Sequence, residues 1–174
     1  MKRRMLVPAA LLGAVGGGML VKKLWLEKYS QQKEELNRAQ RERGLLHSWL
    51  LLEQRGAQVS EYFTAHNYHC VAVFGMGPLG RRTADALGEL AAYGVELDNL
   101  GAVHERLTVY RLGDDPLPPA DCMVICDAAQ AEEKAGVVRR EFPGPIVSLG
   151  SVMDWLLEQY GVGLNETVWK AGPR

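Results

Sequence analysis

An α/β fold with a mostly parallel sheet is predicted by three observations. Short apolar, β-branched runs alternate with helix-forming stretches from Tyr68 onward. The first run passes through a glycine-rich turn directly into a helix. A later run, Cys122-Met123-Val124-Ile125-Cys126, is continuously apolar, as strands covered on both faces are. Five strands with helices on both faces are expected, preceded by a long N-terminal helix. The organisation predicted is a membrane anchor over 1–26, a juxtamembrane helix or stalk over 27–56, and the α/β domain over 57–174.

Composition bounds the function. The chain has 174 residues, 47% hydrophobic and 24% charged, enough for one packed domain plus a short extra element. The formal charge of −1 lacks the basic excess that draws proteins onto a phosphate backbone, so no nucleic-acid partner is predicted. Three cysteines, Cys70, Cys122 and Cys126, do not form a secreted disulfide framework and favour a reducing compartment.

The N-terminal stretch from Met5 to Val21 carries no charge and is flanked by Lys2, Arg3 and Arg4 before it and Lys22 and Lys23 after it. As a helix it covers about 25 Å, a little short of a hydrocarbon core of about 30 Å. Leu24, Trp25 and Leu26 extend the apolar character, and lysines that snorkel beside an interfacial tryptophan make a single crossing the expectation. No clear small-x-small cleavage site followed by a polar stretch appears, since Lys22 and Lys23 come directly after the apolar run, so a retained anchor is preferred over an interfacial or re-entrant glycine-rich helix and over a removed signal peptide. The N-terminal charges favour export of the rest of the chain, whereas reduced cysteines and a nucleotide ligand favour the cytoplasmic face, which is the expected location.

From Leu24 to Arg55 the chain has no proline and one glycine, Gly44, and a long helix is predicted. Its first half is polar apart from Tyr29 and Leu36, a solvated spacer or coiled-coil stalk. Leu45, Leu46, Trp49, Leu50 and Leu52 form a dense apolar face expected to pack on the domain. Gly56 ends this helix, and a short one, VSEYFTAH, ends at Asn67.

Tyr68 to Phe74 reads as the first strand, followed by Gly75-Met76-Gly77-Pro78-Leu79-Gly80 and the helix RRTADALGELAAYG. Strand, G-x-G-x-x-G and helix in this order match the dinucleotide-binding fingerprint of Rossmann folds. Gly75 permits the tight turn, Gly77 lets a pyrophosphate approach the backbone, and Gly80 lets the helix close on the strand. Pro78 falls at the first helical position, where a missing N–H costs no hydrogen bond. Arg81 and Arg82 after the last glycine, in place of Lys and Ser or Thr, exclude a triphosphate-binding P-loop.

Gly94 reads as the end of that helix, the second strand as Gly101 to His104 and the third as Thr108 to Tyr110. A ribose-binding acid is needed at the end of the second strand, and Glu105 is the candidate; Glu96 and Asp98 precede the strand so placed. Cys122 to Cys126 is the fourth strand, and its two cysteines, about 13 Å apart, cannot share a metal. A helix AQAEEKAGVVRREF, a fifth strand Ile146 to Ser148 and a closing helix SVMDWLLEQYG complete the unit. Ligands in such sheets sit beyond the carboxyl ends of the strands, an edge that holds Gly75 to Gly80, Glu105, Asp127 and Ser148; for Asp127 and Ser148 helix capping is the favoured reading over ligand contact.

The segments SWLLLEQRGAQVSEYF and NYHCVAVFGMGPLGRRTADAL resemble a bacterial family in which a W-L-x-x-K-x-x-G-x-x-x-x-x-Y-F lead-in precedes G-Y-x-x-I-A-I-Y-G-M-G-x-x-G. That family is a small Rossmann-like nucleotide-binding domain, found behind an N-terminal anchor or attached to glycosyltransferase-type proteins of cell-envelope polysaccharide synthesis. The resemblance spans about Ser48 to Trp155 and implies that Gly75, Gly77 and Gly80 hold phosphate. The family's second strand ends I-D-x-N, and an ungapped alignment puts Val103 at the acidic position, two residues before Glu105.

The expected function is therefore a membrane-tethered nucleotide- or dinucleotide-binding accessory module, with NAD(P) or a nucleotide sugar as ligand and Gly75, Met76, Gly77, Pro78, Leu79, Gly80 and Glu105 as its site. Envelope-synthesis proteins, or a second copy through the stalk, are the expected partners. An NAD(P)-dependent oxidoreductase or sugar-nucleotide-modifying enzyme is the alternative, although no Tyr-x-x-x-Lys, Cys–His pair or metal cluster is written in the chain. A non-binding scaffold is the third reading.

Overall fold

The computed structural model describes residues 7–97, 104–113, 116–127 and 130–162; of the side chains before residue 28 it describes only that of Trp25. The elements in order are α1 (Val7–Gln54), α2 (Val59–Ala65), β1 (Val71–Phe74), α3 (Pro78–Leu87), a 3₁₀ turn (Gly88–Leu90), β2 (Ala91–Glu96), β3 (Val109–Arg111), β4 (Cys122–Ile125), α4 (Ala131–Val138), β5 (Ile146–Ser148) and α5 (Leu149–Gln159). Two compact units divide the chain, Met1–Ala39 and Gln40–Arg174. In the first, α1 exposes every described side chain from Lys28 to Ala39.

The second unit is a five-stranded sheet of order β3-β2-β1-β4-β5 in which every pairing is parallel. This is the α/β, Rossmann-like architecture the sequence predicts. Period-2 alternation assigns each strand to two cores at once. Val71 and Val73 of β1 join Val124 of β4 in a core with Trp49, Leu52, Phe63, Leu87, Val152 and Leu156. Ala72 and Phe74 join Met123, Ile125, Val95, Val138 and Phe142 on the other face. Both faces are covered, so β1 and β4 are apolar at every position.

Local chemistry sets the element ends. Gly56 at φ 79 and Asn67 at φ 59 take the left-handed region after α1 and α2. The Glu61 carboxylate reaches back to accept from the Gln58 N–H at 2.9 Å and also accepts from the Tyr160 hydroxyl at 2.9 Å, joining the start of α2 to the end of α5. Asp121 Oδ2 accepts from the N–H groups of His69 and Cys70, at 2.8 and 2.9 Å, and so aligns the entries to β1 and β4.

The second strand is the main correction. It runs Ala91–Glu96, where the sequence predicts the end of the first helix. The helix stops earlier because Gly88 takes φ 58, and a 3₁₀ turn leads straight into the strand. Gly94 is therefore a strand interior, not a helix end: a Cβ there would meet Met76 Sδ at 2.8 Å. Residues 101–103 of the predicted strand lie outside the described residues, and His104 is in a loop.

Of the predicted face of α1, Leu45, Trp49 and Leu52 are buried at 2–4% exposure, whereas Leu46 and Leu50 point outward at 39% and 55%. Residues 45, 49 and 52 follow i, i+4, i+7 on the face turned to the core, while 46 and 50 lie about 100° round the helix from 45 and 49.

Candidate functional site

The glycine turn joins β1 to α3 at the carboxyl end of the sheet. Gly75 takes φ 87, open to glycine and costly to other residues, and its N–H donates to the Val95 carbonyl at 2.9 Å. Met76 buries its side chain at 2% exposure against Gly94 of β2, so it supports the turn from beneath and faces no solvent. Gly77 is exposed and extended, at φ −65 and ψ −166, outside the helical region that a following proline disfavours. Pro78 opens α3, and Leu79 is buried at 5% exposure. The Arg81 N–H donates to the Gly77 carbonyl at 3.0 Å, the first bond of the helix. The N–H groups of Leu79 and Gly80 precede that bond and are the helix-start donors.

The two later glycines differ in kind. A Cβ on Gly80 would overlap the Gly75 carbonyl oxygen and lie 2.8 Å from its carbon, so glycine there lets α3 rest on the turn. A Cβ on Gly77 would meet nothing within 4 Å. Neither backbone angle nor internal packing demands a glycine at 77, and the space before it is open.

Strands on either side of β1 frame the turn with one carboxylate each. Cys126 N–H donates to the Phe74 carbonyl at 2.9 Å, and a Cβ on Gly75 would lie 3.9 Å from the Asp127 nitrogen, so the end of β4 borders the turn directly. Asp127 is engaged: Oδ2 pairs with Lys134 Nζ at 2.6 Å, and Oδ1 accepts from the Gln130 N–H at 3.1 Å, at the entry to α4. Ser148 likewise accepts from the Ser151 N–H at 3.0 Å at the start of α5. Ser148 caps its helix as predicted, whereas Asp127 stands ahead of α4, whose N-cap is Gln130, and binds that residue's N–H instead of capping the helix itself.

On the other side, Phe74 and Val95 are register partners, so Glu96 ends β2 one strand from Gly75. It lies 96 − 75 = 21 residues after Gly75, the spacing a ribose-binding acid takes. Its carboxylate has no hydrogen-bond or ion-pair partner among the described residues. Glu105 is elsewhere, exposed in the turn that leads to β3. The structure thus brings Gly75, Met76, Gly77, Pro78, Leu79 and Gly80 together and sets Glu96, not Glu105, at the end of β2. The correct count was visible in the sequence; Gly94, mistaken for a helix terminator, hid the strand that gives the count its meaning. Lys134 carried no sequence signal at all.

Other reactive groups are engaged in structure. Burial pushes the Cys122 and Cys126 thiols up to about 12, so both stay protonated and neither is a thiolate nucleophile at neutral pH. Arg82 lies over the Trp49 ring at 5.1 Å and pairs with Glu53 at 2.6 Å, directed to α1. Among the described residues no group of His, Cys, Asp or Glu is placed to hold a metal ion. In comparisons with protein-family models, curated proteins and solved structures, nothing matches this chain.

Proposed function

We propose that this chain is a membrane-tethered module that binds a nucleotide or dinucleotide at the Gly75–Gly80 turn. The observation that carries the reading is Gly77: it is exposed, in ordinary extended backbone, with open space where a side chain would stand. A glycine that neither the backbone nor the core requires is accounted for by a phosphate group approaching the main chain. The start of α3 adds the Leu79 and Gly80 N–H groups and the positive end of the helix dipole.

Glu96 sharpens the ligand class. A carboxylate at the end of the second strand accepts hydrogen bonds from both ribose hydroxyls and repels a phosphate on the 2′-oxygen. ADP-ribose compounds such as NAD are therefore favoured over NADP. The similarity to anchored nucleotide-binding domains of envelope polysaccharide synthesis makes nucleotide sugars the second group of ligands to test.

The tether rests on the sequence from Met5 to Leu26. Among the described residues no helix is long and apolar enough to cross a membrane, and that stretch's side chains, Trp25 apart, lie outside them. A nucleotide ligand puts the folded unit on the cytoplasmic face, which a compartment-sensitive reporter fused to the C-terminus tests directly.

The decisive measurement is thermal unfolding of the full chain in detergent with ADP, NAD, NADP and UDP-sugars at millimolar concentration. Saturation at about 100 times Kd adds about 2.7 kcal/mol of stability, a readily seen rise in midpoint. Gly77→Glu should leave the unliganded midpoint in place and abolish the rise, since its side chain fills the phosphate space. No rise with any of these ligands would remove the reading.

A further inference from the structure

α1 carries an apolar stripe that the folded unit does not use. Its exposed large hydrophobics are Trp25, Tyr29, Leu36, Leu46 and Leu50, at 67%, 59%, 59%, 39% and 55%. In sequence they are separated by multiples of a four-three spacing. With Tyr29 at heptad position a, the a positions are Tyr29, Leu36, Arg43 and Leu50, and the d positions are Trp25, Gln32, Ala39 and Leu46. Between Lys28 and Gly44, the apolar residues Tyr29, Leu36 and Ala39 all lie on this seam. Leu45, Ser48, Trp49 and Leu52, which are buried in the folded unit, occupy positions c, f and g. One turn of helix therefore serves the core with one side and leaves the a and d side bare.

We infer that a second copy of this chain covers the stripe, the two helices forming a parallel coiled coil. A seam repeating every 3.5 residues meshes with a helix of the same repeat, and an identical helix in register supplies it. The stretch from Lys28 to Arg41 has every side chain exposed, and a solvated helix of that length is marginal in water without a partner. Burying the apolar layers of both copies removes on the order of 1,500 Å² from water, within the range of stable interfaces.

Charge sets strength and orientation. Parallel pairing brings Glu42 at g toward His47 of the other copy at e, and Glu35 toward Gln40. It also opposes Arg43 to Arg43 and Lys28 to Lys33, so the pair is weak and gains from confinement to one membrane, which raises the effective concentration. The parallel orientation rests on the tether reading, since both anchors must enter the same bilayer.

The test is disulfide cross-linking of the full chain in membranes, in a Cys70→Ala background where the remaining cysteines are buried. Leu36→Cys and Leu50→Cys, both at a, should each cross-link to themselves at least tenfold faster than Glu34→Cys at the opposite position f. Equal rates at 34 and 36 overturn the proposal. So does preferential pairing of Leu36→Cys with Ala39→Cys in mixed samples, which marks an antiparallel pair. Arg43→Leu should tighten the dimer by about tenfold in analytical ultracentrifugation in detergent, and Leu36→Glu should leave only monomer while the folded unit keeps its unfolding midpoint. A Leu36→Glu chain that still binds ADP separates this inference from the ligand reading; failure of ADP binding in both chains leaves the cross-linking result to stand by itself.

Discussion

The glycine turn has a packed half and an open half. At Gly80 the helix lies against the Gly75 carbonyl with Cys126 behind it, and a Cβ has no place. At Gly77, one helical turn earlier, a Cβ would touch nothing. The same residue type thus serves the fold at one position and leaves room for a visitor at the other. Binding and folding should accordingly separate by mutation.

The largest effect is expected from Gly80→Ala. Overlap with main-chain atoms cannot be relieved by a rotamer change, so α3 must move off the turn, at about 3 kcal/mol or more. Urea unfolding checks this, and wild-type stability would mean that the helix does not rest on the turn.

The second expectation concerns pH. Burial raises the Cys126 thiol from 9.0 to about 12 in the folded chain. The unfolded chain therefore loses this proton first, and the stability it contributes is whole below about pH 9 and drains away as pH approaches 12. Cys122 behaves alike. Thermal midpoints should fall across that alkaline window, and the fall should be shallower in Cys126→Ala.

Gly94→Ala should cost about 1–2 kcal/mol, less than Gly80→Ala, because the atoms it meets belong to the flexible Met76 side chain. Combined with Met76→Ala, which makes room, the loss should fall short of the sum of the two single losses, as a double-mutant cycle measures. Gly77→Ala should have the smallest effect on folding, within about 0.5 kcal/mol, while weakening ligand binding. A large loss of stability there would put the open half among the packed ones and end the contrast.

Much of this unit was legible residue by residue. Ile146–Ser148 is the fifth strand as read, the fourth ends at Ile125, one residue before the Cys126 expected, and Pro78 is the first residue of its helix. These segments announce themselves because both faces of a central parallel strand are apolar and because proline and glycine restrict the backbone locally. The second strand did not announce itself. Ala91-Ala92-Tyr93-Gly94 continues a helical composition, and only the contact of Met76 with Gly94 across the sheet makes a glycine suitable there. That misreading moved the expected acid from Glu96 to Glu105. On α1, periodicity found Leu45, Trp49 and Leu52 but could not separate them from Leu46 and Leu50 without knowing where the sheet lies.

The sequence by itself determined the α/β class, the parallel sheet and the turn at Gly75–Gly80, because these depend on short-range constraints: strand periodicity, a positive φ open to glycine and a proline at a helix start. Tertiary structure decided which carboxylate stands beside that turn, which side of α1 enters the core, and which glycine is required by packing. Those outcomes depend on atoms distant in the chain, and no local pattern encodes the distance between them.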